Sequence, residues 1–209
     1  MHEKRVAILV AVLLCVLTAL ACGRSEPELS PLRDHAVVLA FGDSLTFGTG
    51  AGPEKSYPEV LQTLIGRTVV SSGVPGEITD EGVKRLPGVL AALHPDMVIL
   101  CHGGNDLLRG LDKGRIAANL KRMIQLIRRQ GAEVVLVAVP KPGLLMVISP
   151  VYGEVAGEMN VPVEETVLLE VLSRGEYRSD PIHPNDRGYA MMADAVAALL
   201  RRYGAFDPP

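Results

Sequence analysis

The 209-residue sequence predicts an α/β domain in which a parallel sheet is covered on both faces by helices. Short apolar runs of strand length, Val37–Phe41, Thr68–Val70, Met97–Cys101 and Val134–Val139, alternate with stretches whose apolar residues recur at helical spacing. Each run stops at small, polar or proline-rich residues, and no internal repeat interrupts the alternation. Right-handed crossovers then place every strand-to-helix loop along one edge of the sheet.

The first strand ends at Gly42-Asp43-Ser44-Leu45. Gly42 lets the chain turn tightly enough to present Ser44 at the carboxyl edge of the sheet, where open α/β sheets bind ligands. Thr49–Ser56 reads as loop, and Tyr57–Ile65 as a short helix with Val60, Leu61 and Leu64 on one face. Thr68-Val69-Val70 is the second strand, followed by Ser71–Gly76, too rich in Gly and Pro for either regular state. Asp80–Leu93 is helical by Val83, Leu86, Val89, Leu90 and Leu93, with Pro87 expected to bend it or confine its regular part to one side. Met97–Cys101 is the third strand and runs into a third loop, His102-Gly103-Gly104-Asn105-Asp106. Ile116, Leu120, Met123, Ile124 and Ile127 mark an amphipathic helix closed by Gly131, before the fourth strand at Val134–Val139. Pro140–Gly143 opens a long irregular region in which Pro150–Met159 is helical and Val161-Pro162-Val163 forms a short fifth strand. Asp180–Asn185 is a rigid loop. The final helix begins near Asn185, with Tyr189, Met192, Val196, Leu199 and Tyr203 as a core-packing stripe.

The N-terminus reads as an address. Lys4 and Arg5 precede an apolar run, Val6–Ala21, that is short of the roughly 20 residues a spanning helix needs, so residues 1–21 form an export signal. Ala19-Leu20-Ala21-Cys22 resembles the lipobox of bacterial lipoproteins, which makes Cys22 the expected lipidation site; ordinary cleavage near Ala21 is the alternative. Residues 22–35 follow as a polar tether, and 36–209 as the folded domain. The expected location is the periplasm or cell envelope, on a membrane through the lipid anchor. Formal net charge is −3 and becomes more negative once Glu3, Lys4 and Arg5 leave, so nucleic acid is excluded as a partner. Cys15 leaves with the signal, so Cys22 and Cys101 cannot make a disulfide framework; the absence of HExxH or CxxC spacing argues against a metal.

Acyl transfer needs a nucleophile, a base, an orienter for the base and donors for the oxyanion, and the loops at one sheet edge supply each. Ser44 is the nucleophile. His183 is the base, since imidazole is the side chain that changes charge near neutrality. Asp180, in a loop stiffened by Pro181 and Pro184, can bond one ring nitrogen while the other faces Ser44. Asn105, with the backbone N–H groups of Ser44 and Gly76, forms the expected oxyanion hole. Each has a plainer reading: a loop hydrogen bond for His183, a turn for Gly103–Asp106, a cap for Asp180. Leu107, Leu108 and Leu111, just after Asn105, are the candidate acyl pocket, with core packing as the alternative.

With these residues in view the chain resembles the SGNH (GDSL-type) hydrolases, most closely their bacterial thioesterase I/lysophospholipase/arylesterase branch. The resemblance spans roughly Val37–Leu200. Gly42-Asp43-Ser44-Leu45 is similar to the family's first block, Gly103-Gly104-Asn105-Asp106 to its third and Asp180–Asn185 to its last. It implies a three-layer α/β/α fold of flavodoxin type with five parallel strands, ester or thioester hydrolysis through an acyl-serine, a small-molecule or lipid ester as substrate, and no cofactor. Ser44, Gly76, Asn105 and His183 would be the four name-giving residues, with Asp180 completing the triad. The second block departs from the pattern: Ser71 stands where Asn is usual and Glu77-Ile78 follow Gly76 in place of Asp-Thr, which leaves Gly73 as a competitor for Gly76. Cys101 and His102 precede the third block where relatives carry apolar or acidic residues. Cys101 reads as a small buried hydrophobe; His102 reads as a core hydrogen-bonder or, alternatively, a residue that tunes the site or substitutes as base. Carbohydrate O-acetyl esters are the alternative substrate, and an anchored binding protein or an inactive hydrolase are the non-enzyme alternatives. The loop Gly48–Gly52 has neither the lysine nor the spacing of a phosphate-binding loop.

Overall fold

The structure, a computed structural model, describes residues 26–143 and 146–206. The expected signal, residues 1–21, and the expected lipidation site Cys22 lie outside the described residues. Five parallel strands, β1 (Val37–Gly42), β2 (Thr68–Gly73), β3 (Met97–Cys101), β4 (Glu133–Val137) and β7 (Val163–Glu164), form a sheet in the order β2-β1-β3-β4-β7. β1 and β3 are almost wholly buried, which is why they read as unbroken apolar runs rather than alternating ones. Helices α2 (Tyr57–Ile65) and α8 (Asp186–Arg202) pack together on one face, and α3 (Thr79–Leu93), α5 (Lys113–Arg129) and α6 (Val151–Met159) on the other. The result is the three-layer α/β/α arrangement that the sequence implies.

The register explains the site. Gly42 lies opposite Gly73 of β2 and Cys101 of β3. A Cβ on Gly42 would stand 2.1 Å from the Cys101 carbonyl oxygen, so only glycine lets the three strand ends converge there. The chain then enters a single helical turn, α1 (Ser44–Phe47), capped by Asp43, whose Oδ1 accepts the Leu45 N–H at 3.0 Å. A second short helix, α4 (Gly104–Leu108), holds Asn105.

Several expectations are corrected. β2 continues to Gly73 because pairing with β1 holds a Gly/Ser-rich segment extended. The regular part of α3 is not confined to one side of Pro87: the helix is continuous through it, with Pro87 on the exposed face. The fifth strand is Val163–Glu164, beginning two residues after and ending one residue after the expected Val161–Val163. Part of the expected tether is packed: Leu29 and Leu32 are buried, and their N–H groups donate to the Tyr203 and Ala205 carbonyls at 2.9 and 2.6 Å. Two elements appear in the region the sequence left irregular, a hairpin of β5 (Pro140–Lys141) with β6 (Val147–Ile148), and α7 (Val167–Ser173).

Candidate active site

Ser44, His183 and Asp180 form one hydrogen-bonded chain. His183 Nε2 is 3.0 Å from Ser44 Oγ, and His183 Nδ1 is 2.7 Å from Asp180 Oδ2. Nδ1–H donates to the carboxylate, which leaves Nε2 to accept the serine proton. Asp180 makes its own turn: Oδ1 accepts the N–H groups of Ile182 and His183 at 2.8 and 2.9 Å. Burial alone would raise the Asp180 carboxyl, but the His183 ring and these N–H groups outweigh it and hold the group below its ordinary value.

The loop that carries them is laced to its surroundings. Ser179 N–H donates to the His183 carbonyl at 2.9 Å, Asn185 caps α8, and the Tyr189 hydroxyl reaches the Thr49 carbonyl at 2.8 Å. The base loop is thereby tied to the loop that follows the nucleophile.

Asn105 lines the same cleft as Ser44 and His183. Its Nδ2 donates to Asp43 Oδ2 at 3.2 Å and to the Glu77 carbonyl at 3.0 Å, so in the resting site both of its N–H groups are engaged. Asp43 is buried, and burial pushes its carboxyl above the usual carboxylate range. Gly76 is the third residue of a turn in which Glu77 N–H bonds the Val74 carbonyl at 3.1 Å; Pro75 sets the second position and Gly76 supplies a φ of +82°. No atom would crowd a Cβ on Gly76, so the turn's left-handed backbone, not a close contact, calls for glycine there. At Gly73 a Cβ would fall 2.2 Å from the Phe47 nitrogen and 2.6 Å from the Asp43 oxygen; that glycine lets α1 pack on β2. Gly76 is thus the exposed one of the two, although it lies beside the substrate cleft rather than in its lining.

The cleft at Ser44, Asn105 and His183 is walled mainly by apolar side chains: Leu108, Val139, Pro140, Met146, Leu172 and Ile182. Of the three leucines expected here, only Leu108 lines it. Leu107 is buried in the core, and Leu111 is half-buried away from the cleft. Sequence reasoning missed the wall from the β5–β6 hairpin and α7. Leu172 had a signal in the helical spacing of Val167, Leu168, Val171 and Leu172; the hairpin had none.

His102 is no substitute base. It is wholly buried, with Nε2 3.1 Å from Glu77 Oε2 and Nδ1 accepting the Gly103 N–H at 3.0 Å. Cys101 is buried too, and burial pushes its thiol well up. Among the described residues no group of three His, Cys, Asp or Glu side chains is placed to hold a metal, and no helix is long and apolar enough to cross a membrane.

Comparison with known proteins agrees with this geometry. The pattern of the family described as GDSL-like Lipase/Acylhydrolase matches residues 40–191. An arylesterase of Vibrio mimicus is 31% identical over 79% of this chain and 88% of its own. Thioesterase 1/protease 1/lysophospholipase L1 of Escherichia coli K12 is 28% identical over 78% and 83%. The crystal structure of TesA superposes with a TM-score of 0.72 at 26% identity, covering 80% of this chain and 99% of that one.

Proposed function

We propose, from the premise that this chain belongs to the GDSL-like lipase/acylhydrolase family and is accordingly a serine ester hydrolase, that Ser44 attacks the carbonyl of an acyl ester while His183 takes its proton. The observation that carries the assignment is the unbroken chain from Ser44 Oγ through His183 to Asp180 at 3.0 and 2.7 Å. His183 then returns the proton to the leaving alcohol or thiol, and water deacylates the serine by the same route. Asp180 fixes the tautomer and offsets the charge that His183 gains.

The oxyanion is held by Asn105 with the N–H groups of Ser44 and Gly76. Ser44 opens α1, whose first N–H groups have no helical partner. Asn105 exchanges the longer of its two resting bonds, the one to Asp43, for the developing oxyanion. The apolar wall favours an acyl chain over acetyl, in keeping with the arylesterase and thioesterase/lysophospholipase names of the relatives. Fluorophosphonate should label the native protein and fail on Ser44→Ala. Labelling of that variant to the same stoichiometry would refute the nucleophile. Acetate preferred over octanoate on nitrophenyl esters, with acetylated sugar faster still, would replace the acyl-ester reading by carbohydrate deacetylation.

The address stays part of the proposal: export, with Cys22 as lipid anchor. The described chain joins the domain at the sheet edge opposite Ser44, where Ser30 bonds Glu133 at the start of β4 and Val37 N–H bonds Asp96 just before β3. Cys22→Ser should move the protein from the membrane to the soluble fraction; unchanged membrane association after signal cleavage would sink the anchor.

A further inference from the structure

Behind the oxyanion side of the site lies a charged network that takes no part in the chemistry described so far. Glu77 follows Gly76 directly and is buried. Its carboxylate receives Arg85 Nε and Nη2, each at 2.7 Å, and the His102 Nε2–H at 3.1 Å. Because His102 Nδ1 accepts the Gly103 N–H, Nε2 is the nitrogen that carries the proton. Gly82 of α3 leaves room for this ring, since a Cβ there would stand 2.4 Å from His102 Nε2.

Arg85 reaches further. It donates to Ser72 Oγ at 2.7 Å, the Ser72 carbonyl at 3.2 Å and the Gly42 carbonyl at 3.3 Å, and its guanidinium lies 4.1 Å over the Phe41 ring. One carboxylate therefore gathers the ends of β1, β2 and β3, the strands that deliver Ser44, Gly76 and Asn105. Burial pushes Glu77 up, but the Arg85 and His102 bonds outweigh it and hold it at about 2, so it stays ionised. The Glu77 main chain touches the site itself: its carbonyl accepts Asn105 Nδ2 at 3.0 Å, and its N–H closes the Gly76 turn at 3.1 Å.

We propose that Glu77 is a positioning residue of the oxyanion hole: clamped by Arg85 and His102, it holds Asn105 and the Gly76 turn in place before charge develops on the substrate. The inference rests on the reading of Asn105 as an oxyanion donor. A buried ion pair is weak support for stability, whereas donors aimed in advance at a developing charge are worth most when nothing must reorganise during reaction. A loss of preorganisation appears in kcat and not in KM.

The test is a double-mutant cycle on nitrophenyl octanoate. Glu77→Gln should lower kcat by about tenfold or more with KM within about twofold, and the same change made on Asn105→Ala should cost clearly less, since one of the two donors it aims is gone and only the share carried by the Gly76 turn remains. His102→Leu should lower kcat several-fold, and His102→Gln, which keeps an N–H, should restore most of it. These two variants carry the test if Glu77→Gln does not fold. Parental kcat in Glu77→Gln, or in His102→Leu, overturns the proposal, as does an equal loss on the parental and Asn105→Ala backgrounds. An Asn105→Ala protein with unchanged kcat overturns instead the reading beneath it, and the proposal falls with that reading.

Discussion

The two sides of the site are held by opposite means. The base side is local and near solvent: Asp180 and His183 lie three residues apart, their side chains are 45% and 14% exposed, and Asp180 bonds only its own turn and the ring. The oxyanion side is buried and long-range, with Asn105 bonded to Asp43 and Glu77, and Glu77 to Arg85 and His102. A base that must move a proton needs one orientation, which a proline-stiffened turn can set alone. Donors that must converge on one point from three loops need the whole sheet edge fixed.

The largest expected effect breaks the base side. His183→Ala should lower kcat by about 10⁴-fold or more, because among the described residues His183 is the side chain that hydrogen-bonds Ser44 Oγ and can take its proton. Asp180→Asn should cost less than His183→Ala, since Asp180 holds the base without accepting the serine proton. Equal losses on the octanoate ester would mean that Asp180 does more than orient. Both variants should melt within a few degrees of the parent, as the loop contributes little to the core.

The same contrast explains what could be read from the sequence. Ser44 follows an apolar run, and Asp180 and His183 fall within four residues that include Pro181 and are followed by Pro184, so residue types and spacing were enough. The five buried positions of α5 were readable for a similar reason, being one face of one helix. His102 was legible as a core hydrogen-bonder, which it is, but its partner Glu77 and the Glu77–Arg85 pair were not, because only the register that sets Gly42 between Gly73 and Cys101 brings these groups together. The β5–β6 strands have two residues each, too few to show a period. Leu107 and Leu108 are adjacent in sequence, yet α4 turns one into the core and leaves the other in the cleft.

An intermediate effect tests the oxyanion side through stability. Glu77 is held down from an ordinary 4.5 to about 2, so the unfolded chain binds its proton first as pH falls. The stabilisation is fully present above pH 4.5 and is lost as pH falls toward about 2. The pH-dependent part amounts to about 3 kcal/mol at the upper limit. Glu77→Gln lacks it, so the Tm gap between parent and variant should be widest above about pH 5 and should close as pH approaches 2. A gap that stays constant over that range would mean that Arg85 and His102 do not hold the charge.

The smallest expected effect lies where the two sides meet, in the wall that receives the acyl chain. Leu108 is 45% exposed and lines the cleft together with Met146, whereas Leu111 does not. Each methylene buried against that wall is worth roughly 0.8 kcal/mol, or about fourfold in kcat/KM. The parent should therefore gain from acetate to octanoate until the wall ends. Leu108→Ala should flatten that gain, because the truncated side chain no longer covers the growing chain, while activity on the short ester stays near the parental value. Leu111→Ala should leave the profile unchanged. A steeper profile in Leu108→Ala would mean that this side chain obstructs the cleft, and a flattened one in Leu111→Ala would shift the acyl path from the hairpin side to the loop beyond α4.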